Sequence, residues 1–251
     1  MPTLDARFAR RQAEECLDQC KDVPMEISFI VDSSRSIAEK DFTAALWFVQ
    51  NFVENFQIGE DKVRVSMVTY GHRVYSEYAF GFNAHLDKFE LEKAITNIPH
   101  MNGKTTETGQ AIDWFLANQY PEARNVRRVL IVLTDGNSQV TRLTKAAAKR
   151  AFDKGMEVFA IGVGRNIDPV ELHNIASEDR HVFLVSSYTT LGDITSRLKH
   201  ETCGATSLAL HISTLTPLGS KHTASNVSLV GARRRRKIQT TLHGTICEHL
   251  Q

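Results

Sequence analysis

The first regular pattern in the chain is Glu26-Ile27-Ser28-Phe29-Ile30-Val31, where polar and apolar residues alternate and then run apolar, as in a buried strand. In residues 41–53 the apolar positions are Phe42, Ala45, Leu46, Val49, Phe52 and Val53, which is helical spacing. Trp47 and Phe48 on that helix are expected in the core, and the helix should end before Gly59. Residues 63–70 read as a second strand. Gly71-His72 then turns into 73–80, an expected antiparallel partner, because so short a connection leaves no room for a parallel crossover. His72 is expected to be a solvated loop histidine. A short helical pattern over 86–98 stops at Pro99.

The polar loop 100–109 feeds a helix with Ala111, Ile112, Phe115 and Leu116 on one face. Val129 to Thr134 is a near-continuous apolar strand of the central parallel type. Helix 143–154 should close at Gly155, and strand 158–163 follows. A helix over 169–177 has Asp168 as N-cap and Pro169 at its first position. Residues 182–185 form a last strand and 191–198 a last helix. Strands alternating with helices predict an α/β fold: a doubly wound, mostly parallel six-stranded sheet with one antiparallel edge strand and helices on both faces.

Composition narrows the function. The chain has 251 residues, enough for one α/β domain plus extensions, and 42% hydrophobic residues, enough for a core. A net charge of +1 gives no reason to expect nucleic acid as partner. No apolar run is long enough to cross a bilayer. Residues 1–20 read as a charged helical lead-in without an apolar signal segment, which fits either a cytosolic protein or part of a secreted chain. Past Cys203 the periodicity fades. Residues 204–251 read as a low-structure tail with a basic run, Arg233-Arg234-Arg235-Arg236-Lys237, leaving 21–203 as the folded domain.

Four cysteines, at 16, 20, 203 and 247, flank the folded domain and leave 21–202 free of thiols. That placement suggests a clasp formed in an oxidising compartment. Cys20–Cys203 is the expected pairing, although spacing does not settle connectivity among the alternatives.

The candidate chemistry sits at strand ends. Asp32, Ser34 and Ser36 place oxygen side chains at alternate positions after the first strand. Asp135 follows the long apolar strand, and the loop 104–108 carries threonines. In an open α/β sheet such loops meet outside the carboxyl ends of the strands. Two carboxylates and three hydroxyls there are hard donors, suited to Mg²⁺. Either Thr105 or Thr106 could supply the third hydroxyl.

Asp-x-Ser-x-Ser after an apolar strand, T-x-T-G opening a helix and L-T-D-G after a later strand resemble the von Willebrand factor type A (integrin I-like) domain. Phe159-Ala160-Ile161-Gly162-Val163-Gly164 and Leu172-His173-Asn174-Ile175-Ala176-Ser177 add to the resemblance, which covers about residues 25–200. It implies strand order 3-2-1-4-5-6 with a short antiparallel edge strand. It also implies a metal-ion-dependent adhesion site of Asp32, Ser34, Ser36, Thr106 and Asp135, holding Mg²⁺ or, in the same place, Mn²⁺ or Ca²⁺.

By the resemblance Ser34 and Ser36 would bind the ion directly, the aspartates directly or through water, and Thr106 is chosen for its spacing to Ile112. One coordination position would stay open for a partner's carboxylate. Ser33 and Arg35 depart from the glycine or small residue many members carry there; Arg35 stands at the ligand rim, either attracting an acidic ligand or facing solvent. The edge cysteines resemble those of extracellular members such as matrilins and collagen VI-type chains.

The implied function is a secreted adhesion or matrix-assembly module that binds a protein ligand, collagen or another matrix component. The alternatives are an intracellular scaffold of the same fold, a structural spacer with an idle site, and a phosphoryl-transfer enzyme. The last is disfavoured because Ser34 stands where the second aspartate would be needed, and no nucleophile-elbow, zincin, P-loop or dinucleotide motif is complete. The chain is therefore expected not to be an enzyme.

Overall fold

The computed structural model describes residues 23–165 and 167–204. The lead-in 1–20, the tail beyond 204, and Cys16, Cys20 and Cys247 lie outside the described residues.

Among the described residues five strands form one sheet: β1 (Met25–Asp32), β2 (Val63–Tyr70), β3 (Arg127–Thr134), β4 (Glu157–Val163) and β5 (Val182–Val185). Their order is β2-β1-β3-β4-β5, and every neighbouring pair is parallel. β1 lies between β2 and β3 with all eight residues buried, as a central parallel strand requires.

Among the described residues six α-helices connect and flank the strands: α1 (Glu39–Val53), α2 (Lys88–Thr96), α3 (Thr108–Asn118), α4 (Thr141–Asp153), α5 (Pro169–Ile175) and α6 (Thr195–Gly204). Alternate β1 side chains go to opposite faces. Ile30 joins Val68, Ile112, Phe115, Ala147, Val132 and Leu172 in the layer under α3, α4 and α5. Phe29 packs edge-on against Phe52 of α1, with ring centroids 5.9 Å apart. The polar members of β1 are matched across the register: Ser66 Oγ donates to Ser28 Oγ at 2.9 Å.

The expected antiparallel edge strand is absent among the described residues. Residues 73–80 touch β2 through only two isolated antiparallel bridges, Tyr70–Val74 and Met67–Phe80, with a 3₁₀ turn at Ser76–Tyr78 between them. The turn brings Arg73 and Glu77 into an i,i+4 ion pair, which an extended strand would hold too far apart. Gln119 completes the edge, donating Nε2 to the carbonyls of Met67 (3.1 Å) and Phe80 (2.8 Å). The expected order is kept once that strand is removed.

Trp47 is a second correction: it is 62% exposed. At 100° per residue it lies opposite the buried stripe centred on Ala45, Val49 and Phe52, whereas Phe48 falls at the edge of that stripe and reaches the core. A third concerns the last helix, which is 3₁₀ over Tyr188–Ile194 and becomes α-helical only at Thr195. Ser187 and Thr190 form a capping box there, and the Thr-Thr-Leu-Gly stretch has little α-propensity.

Candidate metal centre

β1 delivers Asp32 to the carboxyl edge of the sheet, and the chain then turns. Ser34 N–H donates to Asp32 Oδ1 at 2.8 Å, the short-range bond of an Asx turn. Ser34 Oγ and Ser36 Oγ are 2.9 Å apart, and Ser36 Oγ donates to Asp135 Oδ1 at 2.9 Å. Four of the five expected residues therefore form one continuous hydrogen-bonded chain, whose last bond joins Ser36 to Asp135 across 99 positions of sequence.

Thr106 arrives differently. Its loop is stitched to the first turn by an isolated bridge between Ser34 and Gly103, with Arg35 N–H on the Gly103 carbonyl (2.7 Å) and Gly103 N–H on the Ser33 carbonyl (2.9 Å). It is stitched to the Asp135 turn by Gln139 N–H on the Thr106 carbonyl (3.0 Å). Thr106 is buried at this junction. The Thr105 hydroxyl points to Glu107 Oε1 at 3.4 Å. His72 is exposed, in keeping with a loop histidine, with Nδ1 near Lys104 N–H.

Burial sets the electrostatics. Asp32 is 1% exposed, and burial pushes its carboxyl up to about 6, against the opposing hydrogen bonds of Ser34 and Thr134 and with a further push from Asp135. Burial also raises Asp135, with the Ser36 hydrogen bond opposing and Asp41 adding to the rise. Two partly desolvated carboxylates beside two hydroxyls, with no basic side chain in the chain of bonds, make a site that a divalent cation would neutralise. Among the described residues no three His, Cys, Asp or Glu side chains cluster as a metal site. An ion here would rest on the hydroxyls as well as the aspartates, and an all-oxygen set fits Mg²⁺, Mn²⁺ or Ca²⁺.

Several supporting roles were not foreseen from the sequence. Thr134 Oγ1 donates to Asp32 Oδ2 at 2.8 Å; its place directly before Asp135 in L-T-D-G was the available signal. Ser33 Oγ accepts Met101 N–H at 2.7 Å, and His100 Nε2 lies 3.1 Å from the Ser34 carbonyl. Gly71 and Gly103 meet back to back: a Cβ on Gly103 would stand 2.7 Å from Gly71 Cα and 2.6 Å from the Tyr75 hydroxyl. Only glycine permits that approach, and it seats the threonine loop against β2.

Cys203 is disulfide-bonded, and its partner lies outside the described residues, as does the Cys20 half of the expected pair. Among the described residues no helix is long and apolar enough to cross a membrane.

Comparison with known proteins gives a consistent picture. The von Willebrand factor type A domain profile matches residues 26–197. Mouse matrilin-2 is 31% identical over 197 residues, covering 74% of this chain and 20% of the relative. Human matrilin-1 is 33% identical over 193 residues, covering 73% and 38%. The chain thus spans between about a fifth and two fifths of the length of these relatives. Among solved structures, proximal thread matrix protein 1 from the mussel byssus, with a zinc-occupied MIDAS motif, superposes with a TM-score of 0.68 at 26% identity, covering 72% of this chain and 46% of that one.

Proposed function

The chain belongs to the von Willebrand factor type A family, and from that premise we propose that it is an extracellular adhesion or matrix-assembly module that binds a protein ligand through a divalent cation. Asp32, Ser34, Ser36, Thr106 and Asp135 hold the ion, Mg²⁺ under ordinary conditions, and the ligand supplies a carboxylate to its open position. The observation that carries this reading is the bonded chain from Asp32 through Ser34 and Ser36 to Asp135. A ligand set with only two negative charges leaves the cation electrophilic toward an incoming acid.

Arg35 supports the same reading. It is exposed, and its backbone is tied to Gly103, the residue before exposed Lys104, so two basic residues stand on the loops that carry the site. The disulfide at Cys203 supports an oxidising compartment, and the likeness to matrilins supports a matrix setting. The domain is read as 21–203, between the lead-in and the basic tail, and its role as binding rather than catalysis.

The test is a pull-down from extracellular matrix extract in Mg²⁺ against EDTA, with Asp32→Ala and Asp135→Ala alongside. Capture that needs Mg²⁺ and disappears in both folded variants supports the reading. Capture undiminished by EDTA or by either substitution rejects it.

A further inference from the structure

The turn that carries Asp135 is gripped from behind by a carboxylate outside the expected ligand set. Glu171, in the first turn of α5, is only 4% exposed, and its Oε1 accepts the backbone N–H of Ser138 at 3.0 Å. Ser138 is itself buried, and its Oγ accepts the hydroxyl of buried Thr144 at 2.8 Å. The neighbours on either side are tied as well. Asp168 N–H donates to Asn137 Oδ1 at 2.7 Å, and Gln139 N–H donates to the Thr106 carbonyl at 3.0 Å. Three successive residues after Gly136 are thus held by α5, α4 and the threonine loop.

Packing alone does not call for an acid at this position. Leu172 and Ile175 supply the buried apolar face of α5. Burying a carboxylate is costly unless its oxygens are hydrogen-bonded, so a polar side chain of this length points to an acceptor needed at that reach. Here it reaches across to a different element and fixes a backbone donor three residues beyond Asp135. We propose that Glu171 is a positioning residue for the cation site: by holding Ser138 N–H it sets the β3–α4 turn so that the Asp135 carboxylate meets Ser36. The proposal rests on the reading of the site given above. Outer-shell partners of this kind aim a ligand without touching the ion, and they change affinity rather than fold.

Two substitutions separate reach from charge. Glu171→Gln keeps an acceptor oxygen at the same reach and drops the charge. Glu171→Asp keeps the charge and shortens the side chain by a methylene. Mn²⁺ binding to the full chain is measured by calorimetric titration for wild type, both variants and Asp135→Ala, with thermal unfolding of each in EDTA. Glu171→Gln should bind Mn²⁺ within about threefold of wild type, and Glu171→Asp about tenfold or more weakly, with EDTA melting temperatures close to wild type.

Hydrogen exchange of the Ser138 amide in EDTA reads the anchor without metal: slow in wild type and Glu171→Gln, faster in Glu171→Asp. Wild-type affinity in Glu171→Asp, a Glu171→Gln weaker than Glu171→Asp, or a Ser138 amide that exchanges freely in wild type overturns the proposal. If Asp135→Ala binds Mn²⁺ as tightly as wild type, the site reading itself has failed, and that result is distinct from all three.

Discussion

β1 carries a buried carboxylate at each end, and the protein treats the two in opposite ways. At the amino end Glu26 is fully buried and takes Arg64 Nε at 3.1 Å and Nη2 at 2.9 Å on Oε1, with Arg124 Nε on the same oxygen. At the carboxyl end Asp32 is buried almost as deeply, yet its neighbours are hydroxyls, backbone N–H groups and a second carboxylate. The chain supplies its own cations at one pole and leaves the other pole short of them. A buried charge that is paired belongs to the fold; one that is solvated only by dipoles beside another acid is poised for an external ion.

The comparison can be broken most forcefully with metal. Mg²⁺ at about a hundred times its dissociation constant should stabilise the wild type by about 2.7 kcal/mol. That gain, and with it all Mg²⁺-dependent partner capture, should vanish in Asp135→Ala; thermal unfolding with and without Mg²⁺ measures it. Asp32→Asn should lose the gain too, while its metal-free melting temperature stays level or rises, because an unpaired buried charge has been removed. A fall of several degrees would contradict the contrast.

The opposite pole should behave as a conventional buried ion cluster. Glu26→Ala leaves two arginines without their acid, and its expected cost is about 3–5 kcal/mol in urea unfolding. Mn²⁺ affinity of the fraction still folded should be unchanged, so a matching loss of affinity would show that the two poles are not independent.

Gly103→Ala probes the seating of the threonine loop. A methyl group there would meet Gly71 Cα and the Tyr75 hydroxyl, for an expected loss of about 1–3 kcal/mol together with weaker Mn²⁺ binding. Wild-type stability in this variant would remove the glycine contact from the account.

The smallest effect belongs to His181, at the amino end of β5. Its ring lies against Phe159, with centroids 4.1 Å apart, and among the described residues neither ring nitrogen has a hydrogen-bond partner. Burial holds its pKa below the ordinary value, against the pull of Glu178. The folded state therefore holds this proton less tightly than the unfolded chain, and stability should fall as pH drops below about 6.5 toward the lowered folded value. His181→Phe should flatten that slope in urea midpoints taken between neutral and mildly acid pH. An unchanged slope would assign the acid sensitivity elsewhere.

Much of this architecture was legible before any coordinates. Strands β2 and β5 match the periodic reading residue for residue, and the other elements match within a few positions, apart from the missing edge strand at 73–80 and the last helix, which becomes α-helical only at Thr195. Asp32, Ser34, Ser36 and Asp135 were expected on one rim because loops at the carboxyl ends of parallel strands converge, and the hydrogen bonds join them there. What was illegible has a common cause. Residues 73–80 alternate like a strand, but Tyr75 turns inward, a 3₁₀ turn breaks the pairing at Ser76–Tyr78, and Gln119, some forty residues on, adds a second donor to the two carbonyls of the Met67–Phe80 bridge. Trp47 was counted as core for its chemistry, although its angle on the helix places it outside.

By itself the sequence determined most of the strands and helices, that the sheet is largely parallel, and where oxygen side chains leave its rim. Those features follow from local periodicity and from the chirality of βαβ connections, which act over a few tens of residues. Only the tertiary structure decided that Glu26 is answered by Arg64 and Arg124, that the β2 edge is closed by a side chain, and that Glu171 reaches the turn behind Asp135. Each is a pairing between distant segments of a buried polar atom, and desolvation demands that such an atom find a partner without dictating which one.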